Sequence, residues 1–251
     1  MSTGKEVRLA RIMGRDGKAL VVAMDHAAIA GPMGALAEPG EIIRRVVAGE
    51  PDALLLTRGM LRHGRAAMGP QVGIILRITG GFTVLSGMDF HDRVISTVEE
   101  ALRWGADGVA VTVKFGYESE GEFIQAASAV ADSCDRWGMP LMVEVMLVPR
   151  GGSGFPEGEG LTIAARAAAE LGADLIKTSL QEDGAGFREL VEGCPVPVLA
   201  LGGDLKDEGA VLQMAKRAMQ AGAAGLAMGR NVWLAEDPEA MVQKLREVVH
   251  S

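Results

Sequence analysis

Two lysines stand where lysine is seldom found. Of the 7 in the chain, Lys177 lies within Asp174-Leu-Ile-Lys-Thr-Ser and Lys114 near the end of the apolar run Gly108–Phe115. Removing an ammonium group from water penalises its charged form. A lysine that is neutral near pH 7 can attack a ketone and form a Schiff base. The protonated iminium then draws electrons from an adjacent carbon–carbon bond, which breaks to leave an enamine. Lys177 therefore has two readings: a nucleophile, or a lysine that snorkels from a rim and pairs with a carboxylate. Lys114 is either a second cation that favours the neutral amine of Lys177 or a solvated residue before Phe115-Gly-Tyr-Glu-Ser-Glu.

Schiff-base chemistry also needs groups that move protons. Glu144 interrupts the apolar run Leu141-Met-Val-Glu-Val-Met-Leu, so it must find a cation or hold a proton. Asp25 ends another apolar run and could take the proton of a substrate hydroxyl. His26 follows it, and alternation along a strand assigns it to the opposite face, as a supporting group more than a catalytic one. Arg77 and Asp204 occupy comparable strand ends and are candidate substrate contacts. The Asp25-His26 pair has a plainer reading as a helix cap with a loop histidine, and Glu144 as a buried structural ion pair.

Leu201-Gly-Gly-Asp and Met228-Gly-Arg-Asn supply a different element. Glycine-exposed backbone N–H groups at Gly202, Gly203, Gly229 and Arg230 could cradle phosphate oxygens, with the Arg230 side chain adding a charge-assisted contact. The competing reading is two tight turns. The four histidines, at 26, 63, 91 and 250, form no paired metal-binding spacing, so no catalytic metal and no other cofactor is expected. The glycine-rich run 148–160 matches no nucleotide-binding pattern and reads as a flexible loop over the site.

The elements that carry these groups recur with a rhythm. Apolar runs at Ala19–His26, Asp52–Thr57, Val72–Thr79, Gly108–Phe115, Pro140–Val148, Asp174–Leu180, Pro197–Gly203 and Gly225–Arg230 read as eight strands buried on both faces. Helical patterns lie between them, at Phe90–Gly105, Ser119–Gly138, Leu161–Gly172, Asp207–Gly222 and Asp237–His250, with room for a short helix in Arg58–Met68. Lys5–Met13 reads as an extra N-terminal helix. Three helix-to-strand joints are nearly alike: Trp104-Gly-Ala-Asp-Gly-Val, Leu171-Gly-Ala-Asp-Leu-Ile and Ala221-Gly-Ala-Ala-Gly-Leu. The prediction is one (β/α)8 TIM barrel over residues 1–251, with function at the C-terminal strand ends. An open doubly wound sheet is the alternative.

Composition narrows the setting. With 33 acidic against 25 basic residues, the net charge of −8 argues against nucleic acid and membrane surfaces as partners. The chain is 48% hydrophobic and only 4% aromatic, which excludes disorder and fits a core of many short layers. Cys134 and Cys194 form no disulfide framework, and no signal peptide or membrane-length apolar run is present; a cytoplasmic location is expected.

Several segments together resemble the class I aldolases of the archaeal-type fructose-bisphosphate aldolase and tagatose-bisphosphate aldolase superfamily. They are Val22-Ala-Met-Asp-His with Gly31-Pro32, Asp174-Leu-Ile-Lys-Thr-Ser, Gly186-Phe-Arg-Glu-Leu-Val-Glu-Gly-Cys-Pro-Val-Pro-Val, and Ala221-Gly-Ala-Ala-Gly-Leu-Ala-Met-Gly-Arg-Asn-Val. The resemblance covers nearly the whole chain. It implies a barrel with Lys177 as Schiff-base lysine, Asp25 as acid–base group, and a phosphate held by the amides of Gly202, Gly203, Gly229 and Arg230. It also implies a small phosphorylated sugar or ketone as substrate, such as dihydroxyacetone phosphate, and a homo-oligomer.

There are departures. Members of the archaeal type usually carry a tyrosine before the Pro-Arg-Gly that follows the fifth strand; here the position is Val148 or Met146. Glu144 and Lys114 instead look like the strand 5 glutamate and strand 4 lysine of tagatose- and animal-type enzymes, so acid–base work is assigned to Glu144. Gly-Gly-Asp-Leu-Lys replaces the common Gly-Gly-Pro-Lys, and Arg77 stands where histidine is common. The expected activity is that of a class I aldolase. The alternatives are a transaldolase-like synthase using the same lysine and a non-catalytic sugar-phosphate-binding barrel.

Overall fold

The computed structural model describes residues 2–86, 91–148, 155–180 and 185–251. Among them, eight parallel strands close into a barrel: β1 (Ala19–Ala23), β2 (Ala53–Leu56), β3 (Gly73–Arg77), β4 (Gly108–Phe115), β5 (Leu141–Leu147), β6 (Leu175–Ser179), β7 (Val198–Leu201) and β8 (Gly225–Met228). Neighbours in sequence are neighbours in space, and β8 returns to β1 with Ala19 opposite Gly225. That closure leaves no room for a side chain. Gly225 has φ +142°, and a Cβ there would lie 1.9 Å from the Ala19 carbonyl oxygen.

Seven of the strands are shorter than the apolar runs that contain them, and β4 fills its run, Gly108–Phe115. The helix after β4 spans Glu120–Trp137 and ends at Gly138 in the left-handed conformation, φ 61°. The helix after β5 begins at Glu157, ahead of the apolar pattern: Pro156 sets its entry, and Glu157 and Glu159 suit the positive end of its dipole. So the last residues of the run 148–160 are helical, and 149–154 lie outside the described residues. The pattern at Phe90–Gly105 also differs. Arg93–Val94 pairs antiparallel with Thr79–Gly80, helix occupies only Val98–Arg103, and Phe90 is outside the described residues. A local strand pairing takes residues that would otherwise extend the helix.

Parity along the strands explains the interior. Val21 and Ala23, Ala53 and Leu55, Ile75, Ala110, Met142, Leu175, Leu199 and Ala227 form one buried apolar cluster. The N-terminal helix Thr3–Ile12 closes its lower end with Ile12, packed beside Leu9 and Met13. Two residues further along a strand the same face is reached again. Ile75 is thus followed by Arg77, Ala110 by Thr112 and Lys114, Met142 by Glu144, and Leu175 by Lys177. The apolar floor and the polar groups above it share one face of each strand.

The aspartates before β2, β4 and β6, two of them from the repeated Gly-Ala-Asp joints, have a structural meaning. Asp52 Oδ2 accepts from the Leu20 N–H at 2.7 Å, Asp107 Oδ2 from Ile74 at 3.1 Å, and Asp174 Oδ2 from Leu141 at 2.8 Å. Each aspartate at the foot of an even-numbered strand caps the preceding odd one. Asp174 also pairs with Lys5 at 2.9 Å, and Lys5 is only 4% exposed. Burial opposes the Lys5 charge, but bonds to Asp135 and Asp174 prevail and raise its pKa. Removing Asp174 would leave buried Lys5 only the exposed Asp135 and would take the acceptor from the Leu141 N–H. Asp174→Ala is therefore expected to cost about 3–5 kcal/mol in urea unfolding; a loss below about 1 kcal/mol would contradict this role for the pair.

Candidate active site

Strand register brings the charged groups into one layer. Thr112 on β4 lies opposite Glu144 on β5, which lies opposite Lys177 on β6. The Lys177 Nζ is 2.6 Å from Glu144 Oε1. The other carboxylate oxygen, Oε2, accepts from Arg77 Nη2 at 2.5 Å and from the Thr112 hydroxyl at 3.3 Å. Arg77 reaches Glu144 from β3 across the barrel and gives its Nε–H to Asp25 Oδ2 at 2.9 Å. Its Nη1–H goes to Thr112 Oγ1 at 2.9 Å. Glu144 and Asp25 are each 15% exposed as side chains, and Arg77 and Lys177 each 8%.

The charge balance decides the state of these groups. Burial alone pushes the Glu144 pKa up, but the charges of Lys177 and Arg77 and their hydrogen bonds outweigh it, so Glu144 titrates well below the ordinary range. Burial likewise works against the Arg77 charge; Glu144 and Asp25 overcome that and raise its pKa. The pKa of His26 falls below its usual value through burial, aided by Arg230 and Lys177 against the pull of Asp25. Its imidazole is neutral near pH 7.

Lys114 sits in a separate corner. Its Nζ is 2.8 Å from Asp92 Oδ2 and lies over the Phe82 ring, 4.7 Å from the centroid. Asp92 is held partly against ionisation by burial, with Lys114 and Arg77 opposing that effect. The chain thus gives Lys114 a carboxylate of its own, from the loop after β3, which no sequence pattern had marked. Thr112 was also missed, although it stands two residues before Lys114 on the same face and parity could have found it.

All eleven residues singled out in the sequence, Asp25, His26, Arg77, Lys114, Glu144, Lys177, Gly202, Gly203, Asp204, Gly229 and Arg230, line one cavity of about 1010 Å³. His26 belongs to it because β1 stops at Ala23. Alternation no longer applies past the strand, and His26 enters the short helix Ala27–Ala30. At the opposite rim, Asn231 organises the ends of β7 and β8. Its amide donates to the carbonyls of Gly202 and Asp204, both at 3.0 Å, and its oxygen accepts from the Lys206 N–H at 2.9 Å. Gly203 takes φ +62°, and Arg230 Nη2 donates to its carbonyl at 3.2 Å and approaches Asp204 Oδ1 at 3.4 Å. Nearby, Trp233 Nε1 donates to the Ala23 carbonyl at 3.1 Å, tying this corner to β1.

A family model described as DeoC/LacD family aldolase matches residues 19–235, which is the barrel from its first strand to past its last. The chain belongs to that family. Its relatives include the 2-amino-4,5-dihydroxy-6-oxo-7-(phosphonooxy)heptanoate synthase of Streptomyces griseus, 36% identical over 98% of this chain and 90% of that protein. The 3-hydroxy-5-phosphonooxypentane-2,4-dione thiolase of Klebsiella pneumoniae is 33% identical over 98% of this chain and 81% of its own length. Among solved structures, an archaeal fructose-1,6-bisphosphate aldolase with its catalytic lysine bound to the carbinolamine intermediate is 30% identical, with a TM-score of 0.87. That match covers 99% of this chain and all of the other. This DeoC/LacD aldolase is accordingly an enzyme with the class I, Schiff-base aldolase fold.

Within this aldolase the place of the expected strand 5 tyrosine is confirmed to hold no phenol: Met146 and Val148 line the cavity there. The single tyrosine of the chain, Tyr117, lines the same cavity from the loop after β4. Among the described residues no group of three or more His, Cys, Asp or Glu is arranged to hold a metal ion, and no helix is long and apolar enough to cross a membrane.

Glu144 supports folding as well as the site. Its folded pKa is depressed, so its contribution is fully present above the unfolded value of about 4.3 and fades as pH falls. The stability gap between wild type and Glu144→Gln should be wide near neutral pH and narrow steadily below about pH 4. Acid and urea unfolding measured together check this; a gap independent of pH would contradict it.

Proposed function

We propose that Lys177 forms the Schiff base with a phosphorylated ketone and that Glu144 and Asp25 move the protons. The observation that carries this reading is the 2.6 Å contact between Lys177 Nζ and Glu144, inside a cavity whose far rim offers the glycine-lined ends of β7 and β8. Glu144 takes the proton of the Lys177 ammonium, and the free amine adds to the ketone carbon to give a carbinolamine. Glu144 returns that proton to the hydroxyl, which leaves as water, and the nitrogen lone pair completes the iminium. In the cleavage direction Asp25 takes the proton of the hydroxyl on the second carbon beyond the iminium. The carbon–carbon bond then breaks, its electron pair forms the enamine, and an aldehyde departs. Asp25 then gives that proton to the enamine carbon, and hydrolysis of the iminium frees the ketone. In the synthetic direction the enamine attacks a second carbonyl compound, and Asp25 protonates the new alkoxide. Lys114 steadies oxyanions from its place beside Asp92.

The donor is best read as a ketone with a phosphonooxymethyl group on its carbonyl carbon, as in dihydroxyacetone phosphate. That unit is written into the names of both relatives, the heptanoate with its 6-oxo and 7-phosphonooxy groups and the pentanedione with its 4-oxo and 5-phosphonooxy groups. The amides of Gly202, Gly203, Gly229 and Arg230, with the Arg230 side chain, would hold the phosphate. The relative named as synthase favours transfer of the enamine fragment to a second carbonyl over simple cleavage. The whole reaction is assigned to the one barrel domain. A cytoplasmic setting is consistent with two free thiols, Cys134 buried and Cys194 half-buried. Association between copies would cover the apolar surface at Val84, Leu85, Val94 and Ile95, of which Leu85 is 91% exposed.

Two measurements test this reading. Borohydride reduction in the presence of dihydroxyacetone phosphate should leave an adduct on Lys177, absent in Lys177→Ala. No adduct in wild type, or equal trapping in the variant, would overturn it, and saturable binding without any adduct would point to the non-catalytic barrel. Arg230→Ala should raise KM for dihydroxyacetone phosphate by roughly 10-fold or more, as expected for loss of a charge-assisted contact. Unphosphorylated dihydroxyacetone should be little affected; an equal loss for both ketones would remove Arg230 from the phosphate site.

A further inference from the structure

We propose that Arg77 is a positioning residue that couples the two proton carriers, Asp25 and Glu144, so that the pair holds one exchangeable proton at a time. The inference rests on the roles assigned above to Asp25 and Glu144. Each of the three guanidinium nitrogens is already engaged inside the protein: Nε with Asp25 at 2.9 Å, Nη2 with Glu144 at 2.5 Å and Nη1 with Thr112 at 2.9 Å. Thr112 passes a hydrogen bond on to the same Glu144 oxygen at 3.3 Å. Three of the five N–H donors of the planar fork are thus spent on fixing two carboxylates and the Thr112 hydroxyl in one plane.

The coupling follows from the shared charge. Two carboxylates in one buried site tend to share a proton, because both cannot ionise without mutual repulsion. A guanidinium between them offsets that repulsion. When Glu144 takes the proton of Lys177, the charge of Arg77 bears on Asp25 alone and opposes a second protonation there. Asp25 therefore stays a base while Glu144 is loaded, and the reverse holds when Asp25 is loaded.

The other charges facing this pair leave that control with Arg77 and Lys177. Asp92, from the loop after β3, pairs with Lys114, from β4, at 2.8 Å, and its charge bears on Arg77 less than those of Glu144 and Asp25 do. His26 beside Asp25 is neutral near pH 7. Arg230 lies at the other rim, where it bonds the Gly203 carbonyl. Lysine at position 77 would keep the charge but could not hold Asp25, Glu144 and Thr112 in one plane.

The test compares wild type, Arg77→Lys and Arg77→Met, so that one poorly folded variant does not decide the matter. Single-turnover borohydride trapping with dihydroxyacetone phosphate is followed against pH. The Asp25 and Glu144 carboxyl carbons are titrated by 13C NMR, with Asp25→Asn and Glu144→Gln giving the assignments. Arg77→Lys should slow trapping by roughly 10- to 100-fold, the scale of a misplaced proton carrier, with KM for the ketone little changed. The acidic limb of its profile and at least one carboxyl titration should move to higher pH, and added guanidinium should partly restore Arg77→Met. A raised KM with unchanged trapping would make Arg77 a substrate contact and overturn the proposal, as would carboxyl titrations that do not move. If wild type traps nothing, the reading of Lys177 fails. The titrations then still decide the clamp, displaced in its favour or unmoved against it.

Discussion

One carboxylate must satisfy two buried cations, and the upper half of the barrel is arranged around that constraint. Glu144 gives one oxygen to Lys177 and the other to Arg77 and Thr112. Its partners come from strands β3, β4 and β6, so the contact depends on the register of four consecutive strands. An isolated charge in such a place would either lose its ionisation or unfold the site. Here the two cations hold the carboxylate ionised, and in the proposed mechanism its contact with Lys177 is the path by which the amine is freed.

The barrel meets this constraint by separating its two ends. At the foot, Asp52, Asp107 and Asp174 cap neighbouring strands, and Lys5 and Ile12 help to close the opening. These groups are spent on structure. Midway, small and medium apolar side chains fill the interior, which explains why so few aromatics suffice. Above them the interior face turns polar within two residues on four successive strands, β3 to β6. Strands β7 and β8 carry no charge inside and end in glycines braced by Asn231 and Trp233. The charged groups of β3 to β6 and the glycine-lined ends of β7 and β8 thus line one cavity.

Much of this was legible in the chain. The eight apolar runs and the repeated helix-to-strand joints gave the barrel, since buried parallel strands need continuous Val, Leu, Ile and Ala. Lys177, Glu144 and Asp25 were legible because each breaks such a run. Strand ends were less so: His26 was assigned by alternation to the other face, yet β1 had already ended. The segment after β3 was misread as one long helix because pairing of Arg93–Val94 with Thr79–Gly80 is a tertiary choice that helical periodicity does not register. Asp92 carried no local signal at all, and its pairing with Lys114 depends on how that loop returns. Arg77 was visible as a residue but not as a clamp, since its three acceptors come from three other strand units.

The central claim is that Glu144 carries the Lys177 proton to the departing hydroxyl. The most direct measurement is native mass spectrometry of Glu144→Gln mixed with dihydroxyacetone phosphate, without reductant, at short times. The account predicts an accumulating adduct at Lys177 that retains the elements of water, the carbinolamine, with conversion to the dehydrated imine strongly slowed. Appearance of the dehydrated imine at the wild-type rate would contradict it.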